Sequence, residues 1–158
     1  MSDIDIKEYD FEELKSGKIT IKNTDNNYEE SKEYDEHGRI IYYKNSSFGV
    51  ENWRKYDIRG NVIYYKDSTG YEEFNVYNDS DNMIHQKNSK GFESWIEYDD
   101  RDNITYQKNS EGFECWKQYD KRNNLIHLKD SYGYEITSIY DDKNNLVSIQ
   151  ETLTDLEG

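Results

Sequence analysis

The chain has 158 residues, 34 of them acidic and 20 basic, for a net charge of −14, and it is 33% hydrophobic and 34% charged. Those proportions exclude a thick aliphatic core, whereas an aromatic content of 15%, with 16 Tyr, is too high for a disordered chain. The lack of clustered Lys and Arg argues against direct binding to nucleic acid or an anionic membrane, and a lone cysteine, Cys115, precludes an intrachain disulfide.

The N-terminus, Met1-Ser2-Asp3-Ile4-Asp5, has no apolar run of the secretory kind, and no stretch approaches a membrane span. A cytoplasmic location is the expectation. Residues 1–33 carry 10 acids and 5 bases, residues 34–150 carry 21 and 15, and residues 151–158 add 3 acids. The body is therefore charge-mixed and the ends are acidic. Three segments follow: a degenerate capping repeat over 1–33, a tandem array over 34–150, and an acidic tail over 151–158.

Along the chain, a degenerate copy begins at Tyr9-Asp10 and has Ile19-Thr20-Ile21-Lys22-Asn23 as its second half. A clear copy begins at Tyr34-Asp35 and is one residue longer than those after it, through Ser46-Ser47-Phe48-Gly49. From there Tyr56, Tyr77, Tyr98, Tyr119 and Tyr140 recur every 21 residues. Asp follows each of them except at Asn78. Each unit holds two short β-prone runs and two turn signals, and none contains an amphipathic helix. The first turn places Gly38, Gly60, Asp81, Asp102, Asn123 and Asn144 four residues after the Tyr; these residue types enter the left-handed region most cheaply. The second turn reads Ser-x-Gly, as in Ser110-Glu111-Gly112, the pattern of a three-residue hairpin loop.

These loops set the pairing. Across the second turn Lys66, Lys87, Lys108 and Lys129 face Glu72, Glu93, Glu114 and Glu135, pairs that contribute about 0.2–1 kcal/mol each. Further in, Tyr64 faces Phe74, His85 faces Trp95, and Tyr106 faces Trp116. Across the first turn Tyr56 faces Val62, Tyr98 faces Ile104, and Tyr119 faces Leu125. Side chains alternate faces with period two, and 21 is odd. Equivalent residues can share a face only if each unit contains one β-bulge, for which the Trp-x-x-Tyr stretch Trp95-Ile96-Glu97-Tyr98 is the candidate. The expected fold is all-β: tandem 21-residue β-hairpin repeats in a twisted, coiling antiparallel meander, a single-sheet repeat array.

The spacing Tyr-Asp-x-x-Gly/Asn-Asn-apolar over roughly 34–150 resembles the YD repeats of the Rhs and teneurin-like shell proteins. It is also similar to small acidic Tyr-rich repeat proteins of bacteria and their phages. The first resemblance implies a sheet that spirals, in that family around a toxic cargo. Six or seven units are too few to enclose cargo, and no toxin or autoproteolytic domain is recognisable, so the likeness implies fold rather than activity.

No constellation points to catalysis, and no enzyme activity is expected. His85 and His127 take the repeat position of Tyr42, Tyr64 and Tyr106, and read as cross-strand aromatic partners rather than metal ligands. The Asp-rich stretches Asp79–Asn82 and Asp99–Asn103 read as turn chemistry, since they lack the Gly and distal Glu of a calcium loop. No base is fixed beside Cys115. Neither metal nor cofactor is implied. The aromatic columns offer a partner surface: Trp53, Phe74, Trp95 and Trp116, with Glu72, Glu93 and Glu114 alongside. The reading is a non-enzymatic protein-binding or inhibitory repeat protein, sharpened to a phage or mobile-element inhibitor of a host defence nuclease, as in anti-CRISPR or antirestriction proteins. Its partner would be a basic nucleic-acid-binding protein. An immunity protein neutralising a cognate toxin and a carbohydrate-binding module are the alternatives. Open sheet edges also allow an edge-to-edge homodimer.

Overall fold

The computed structural model describes residues 17–23 and 28–154. Thirteen strands follow one another: β1 (Gly17–Asn23), β2 (Tyr28–Tyr34), β3 (Ile40–Asn45), β4 (Val50–Tyr56), β5 (Val62–Asp67), β6 (Glu72–Tyr77), β7 (Met83–Asn88), β8 (Glu93–Tyr98), β9 (Ile104–Asn109), β10 (Glu114–Tyr119), β11 (Leu125–Asp130), β12 (Tyr134–Tyr140) and β13 (Leu146–Leu153). They form one open antiparallel sheet whose strand order is the chain order. No helix occurs among the described residues. The Tyr9-Asp10 half of the degenerate copy lies outside them; its second half is β1. The last strand continues to Leu153 because β12 starts at Tyr134 and pairs with it there, so the 150/151 boundary drawn from sequence falls within a strand. By internal contacts the chain divides after Phe74 into two compact units.

The first turn forms as its residues require. The Asp57 N–H donates to Asn61 O at 3.0 Å, and Oδ1 of Asp57 accepts the backbone N–H groups of Arg59 and Asn61, each at 2.9 Å. Asp99, Asp120 and Asp141 repeat this arrangement. The Asp of each Tyr-Asp pair is thus the turn's organiser, a side chain doing the work of a backbone acceptor. The fourth residue after each Tyr has positive φ, from +62° at Asp102 to +101° at Gly60. The preceding Tyr ties the turn to the sheet: Oη of Tyr56 donates to Ile40 O, and Oη of Tyr98 to Met83 O, both at 2.9 Å.

The expected bulge is present at the first turns after Tyr34, Tyr56, Tyr98, Tyr119 and Tyr140. Pairing runs Glu97↔Tyr106 and then Tyr98↔Ile104, so the register slips inside the Trp95–Tyr98 stretch. The unpaired residue itself, Thr105, sits on the following strand. Ile41, Ile63, Ile126 and Val147 are its equivalents. One unpaired residue leaves an even number of paired steps per unit, and equivalent side chains return to the same face.

A single sheet leaves little interior. Among the described residues no large side chain is fully buried, and the buried apolar set is Cys115 alone. Its companions are small and polar: Ser31, Asn45, Asn52, Asn75 and Ser138. Stability here rests on backbone ladders, side chain-organised turns and cross-strand pairs rather than on an oil-drop core.

Candidate functional site

Hairpin register places the aromatic columns. In the unit ending at Phe74, Tyr42 packs on Trp53 with ring centroids 5.5 Å apart, and Tyr64 on Phe74 at 5.0 Å. In the unit beginning at Asn75, His85 stacks on Trp95 at 5.3 Å, and Tyr106 packs on Trp116 at 5.6 Å. These spacings are those of favourable aromatic pairs, worth about 0.5–1.5 kcal/mol beyond area burial. Lysines extend the stack: Lys55 Nζ lies 5.5 Å from the Tyr64 centroid, and Lys108 Nζ 5.0 Å from that of Trp95. Trp95 is therefore sandwiched between His85 and Lys108. Phe74 and Trp116, by contrast, are 49% and 43% exposed.

The glutamate column runs beside the aromatics and is held by them. Glu51 accepts from Tyr42 Oη at 2.7 Å, His85 Nε2 lies 2.9 Å from Glu93, and His127 Nε2 lies 2.7 Å from Glu135. Lys66 meets Glu72 at 2.9 Å, and Lys87 approaches Glu93 at 3.9 Å. Burial, then the Glu51 hydrogen bond, pushes the Tyr42 hydroxyl up to about 12. Lys66 holds the Glu72 carboxyl below its ordinary range. Of the seven residues singled out from sequence, Trp53, Phe74 and Glu72 share the face of the first unit. Trp95, Trp116, Glu93 and Glu114 share that of the second. Phe74 and Trp116 are the most accessible of the four aromatics.

A groove lies beside the columns in each unit. The first, about 520 Å³, is lined by Ile41, Tyr42, Trp53, Tyr64, Arg39 and Lys55. The second, about 600 Å³ and at the equivalent repeat position, is lined by Ile84, Trp95, Tyr98, Glu97, Asp99 and Asp100. Both have an aromatic and aliphatic floor. The rim of the first is charge-mixed, with Arg39, Arg54 and Lys55 beside Glu33 and Asp35, and that of the second carries carboxylates without a Lys or Arg.

Sequence reasoning missed the links between successive turns. At the second turn, Ser110 Oγ accepts the Glu93 N–H at 2.9 Å, and Ser131 Oγ accepts that of Glu114 at 2.9 Å. The backbone N–H of each serine returns a bond to the same Glu carbonyl. At the first turn, the Asn82 amide donates to Asp102 at 2.6 Å, Asn103 donates to Asn123 at 3.0 Å, and Asn124 donates to Asn144. The signal was the Ser and Asn recurring at fixed repeat positions, but it needs the stacking of strands to be read.

No group of three or more His, Cys, Asp or Glu side chains among the described residues is arranged to hold a metal ion. Cys115 is buried, which raises its thiol pKa and keeps it protonated. No helix among the described residues is long and apolar enough to cross a membrane.

No family model matches the chain, and no curated protein matches it. Solved structures do. A TcdB2-TccC3-Cdc42 crystal structure superposes with a TM-score of 0.62 over 85% of this chain at 14% identity. TcdB2-TccC3 without its hypervariable C-terminal region gives 0.63 over 85% at 14% identity. This chain spans 8% of the length of either. At that identity the likeness is one of fold.

Proposed function

We propose that the chain is a non-enzymatic protein-binding repeat protein of the YD type that acts through its aromatic and acidic face. The observation that carries the reading is a half-exposed ladder of Tyr, Trp and Phe side chains flanked by a regular row of glutamates. Interfaces favour aromatic anchors of this kind, which supply area at low entropic cost. The carboxylate-rimmed groove beside Trp95 suits a Lys or Arg side chain, whose stem would lie along Ile84 and Tyr98 and whose head would meet Glu97 and Asp100. With a net charge of −14, the fitting partner is a basic nucleic-acid-binding protein, and a host defence nuclease blocked by a phage or mobile-element inhibitor is the specific case.

The test is affinity purification of the tagged chain from its host at low and high salt, followed by competition with nucleic acid. The expected result is one stoichiometric basic protein, released by salt, displaced by nucleic acid, and bound at least ~10-fold more weakly by Trp116→Ala. A toxin-like partner retained at high salt would support the immunity reading instead. Binding that survives both Trp116→Ala and Phe74→Ala would reject this face.

A further inference from the structure

Among the described residues the sheet ends on two edges, β1 and β13. Exposed edges present unpaired N–H and C=O groups, and natural sheets guard them with charges, particularly Lys. The β1 edge follows that practice: its seven residues, GKITIKN, include Lys18 and Lys22. The β13 edge does not. Its eight residues, LVSIQETL, are all exposed and contain one charge, Glu151, and no Lys or Pro. Val147 and Leu153 are 64% and 70% exposed.

The direction of its free hydrogen-bonding groups can be read. Thr154 N–H donates to Gly133 O at 2.9 Å, toward β12. Strand groups alternate sides, so Thr152, Gln150 and Ser148 also point to β12, and Leu153, Glu151 and Ile149 point to the open edge. An antiparallel partner must match outward residues with outward residues. A second copy of β13, related by a two-fold axis through Gln150, does so. It pairs Ile149 with Glu151, Ser148 with Thr152, and Gln150 with itself, and places no like charges opposite each other. An axis through Glu151 would set two carboxylates face to face, which is destabilising.

We propose that β13 is a homodimerisation edge, joining two copies of the chain through an antiparallel β13–β13 pair centred on Gln150. The proposal is independent of the partner-binding face. Two chains of charge −14 repel, so screening by salt tightens this dimer, the reverse of the response expected for a basic partner.

Sedimentation equilibrium of the full chain over a concentration series, at low and high salt, is the test. A monomer–dimer equilibrium strengthened by salt is expected. Ile149→Pro removes only an outward N–H and spares the β12 ladder, so it should weaken the dimer at least ~10-fold with the circular dichroism spectrum unchanged. Gln150→Cys should crosslink on mild oxidation, because non-hydrogen-bonded antiparallel pairs bring Cα atoms to about 4.5 Å, within disulfide reach. Ser148→Cys, off the axis, should not. Gln150→Glu, which sets like charges on the axis without touching the backbone, should weaken the dimer in the same way if Ile149→Pro fails to fold. A chain that stays monomeric at every concentration and salt overturns the proposal. So does a dimer that survives these substitutions, or one that leaves Gln150→Cys unlinked.

Discussion

Each 21-residue unit turns twice, and the two turns solve the same backbone problem with different residues. Both begin with an Asp or Asn that accepts the N–H groups of the residues two and four further on. Both need one residue at positive φ. The second turn always supplies Gly, whereas the first supplies Gly in the early units and Asp or Asn later. The difference lies in what holds one turn to the next. At the second turn a serine makes the link, which leaves the left-handed position free to be Gly. At the first turn the side chain at the left-handed position is itself the acceptor, as when Asn123 receives the Asn103 amide. Where Gly60 stands instead, that acceptor is absent and Arg39 Nη1 reaches Asp57 O at 2.9 Å. A modest backbone strain is thus tolerated where it gains a bond between units.

Acid breaks this comparison most broadly, because it reaches several first turns together. The Asn103 amide, opposed by partial burial and joined by backbone N–H groups, lowers the Asp99 carboxyl to about 2; Asn124 does the same for Asp120, also to about 2. The Asn145 amide lowers Asp141. With unfolded carboxyls near ~3.9, stability from these turns is complete above that pH and is lost as pH falls toward ~2. Thermal melts from pH 7 downward should show the midpoint falling in that window. Asp99→Asn combined with Asp120→Asn should flatten the fall, and an unchanged profile would mean that the carboxylates do not hold the turns.

Gly112→Ala comes next in size. At φ +89° an L side chain costs about 1–2 kcal/mol, although the space around the position is open. Urea denaturation should show that loss with no change in slope. Ser131→Ala removes a bond to the Glu114 N–H and another to Gly112 O, and should cost about 1 kcal/mol by the same assay. Asn123→Gly sharpens the comparison through the smallest effect. It relieves strain and loses the Asn103 bond together, so the net change should be within about 0.5 kcal/mol of zero. A large loss there would show that the lateral bond outweighs the strain.

Turn positions and the pairing across each loop were legible from sequence because each depends on residues fewer than about ten apart, and the period was legible because the same Tyr recurs every 21 residues. Lys66 opposite Glu72 and Tyr106 opposite Trp116 follow from loop length alone. The bulge followed from parity, but parity does not say which strand holds the extra residue, and Thr105 rather than the Trp-x-x-Tyr strand carries it. The turn-to-turn bonds of Ser131 and Asn123 were hidden because they join positions 17 and 20 apart, a spacing at which composition offers no rule. The candidate face was legible as columns, yet not its accessibility. That Trp95 is covered by His85 and Lys108 while Trp116 is open depends on which neighbouring side chains reach the ring.

The bulge also has a consequence for how such a gene can change. Because one residue per unit stands outside the ladder, excising or duplicating a single 21-residue copy preserves the facing of everything downstream. Recombination between neighbouring copies would therefore yield longer and shorter descendants that still fold, each with its columns in alignment. A 21-residue unit in which every residue was paired would instead invert the rest of the array at the first such event.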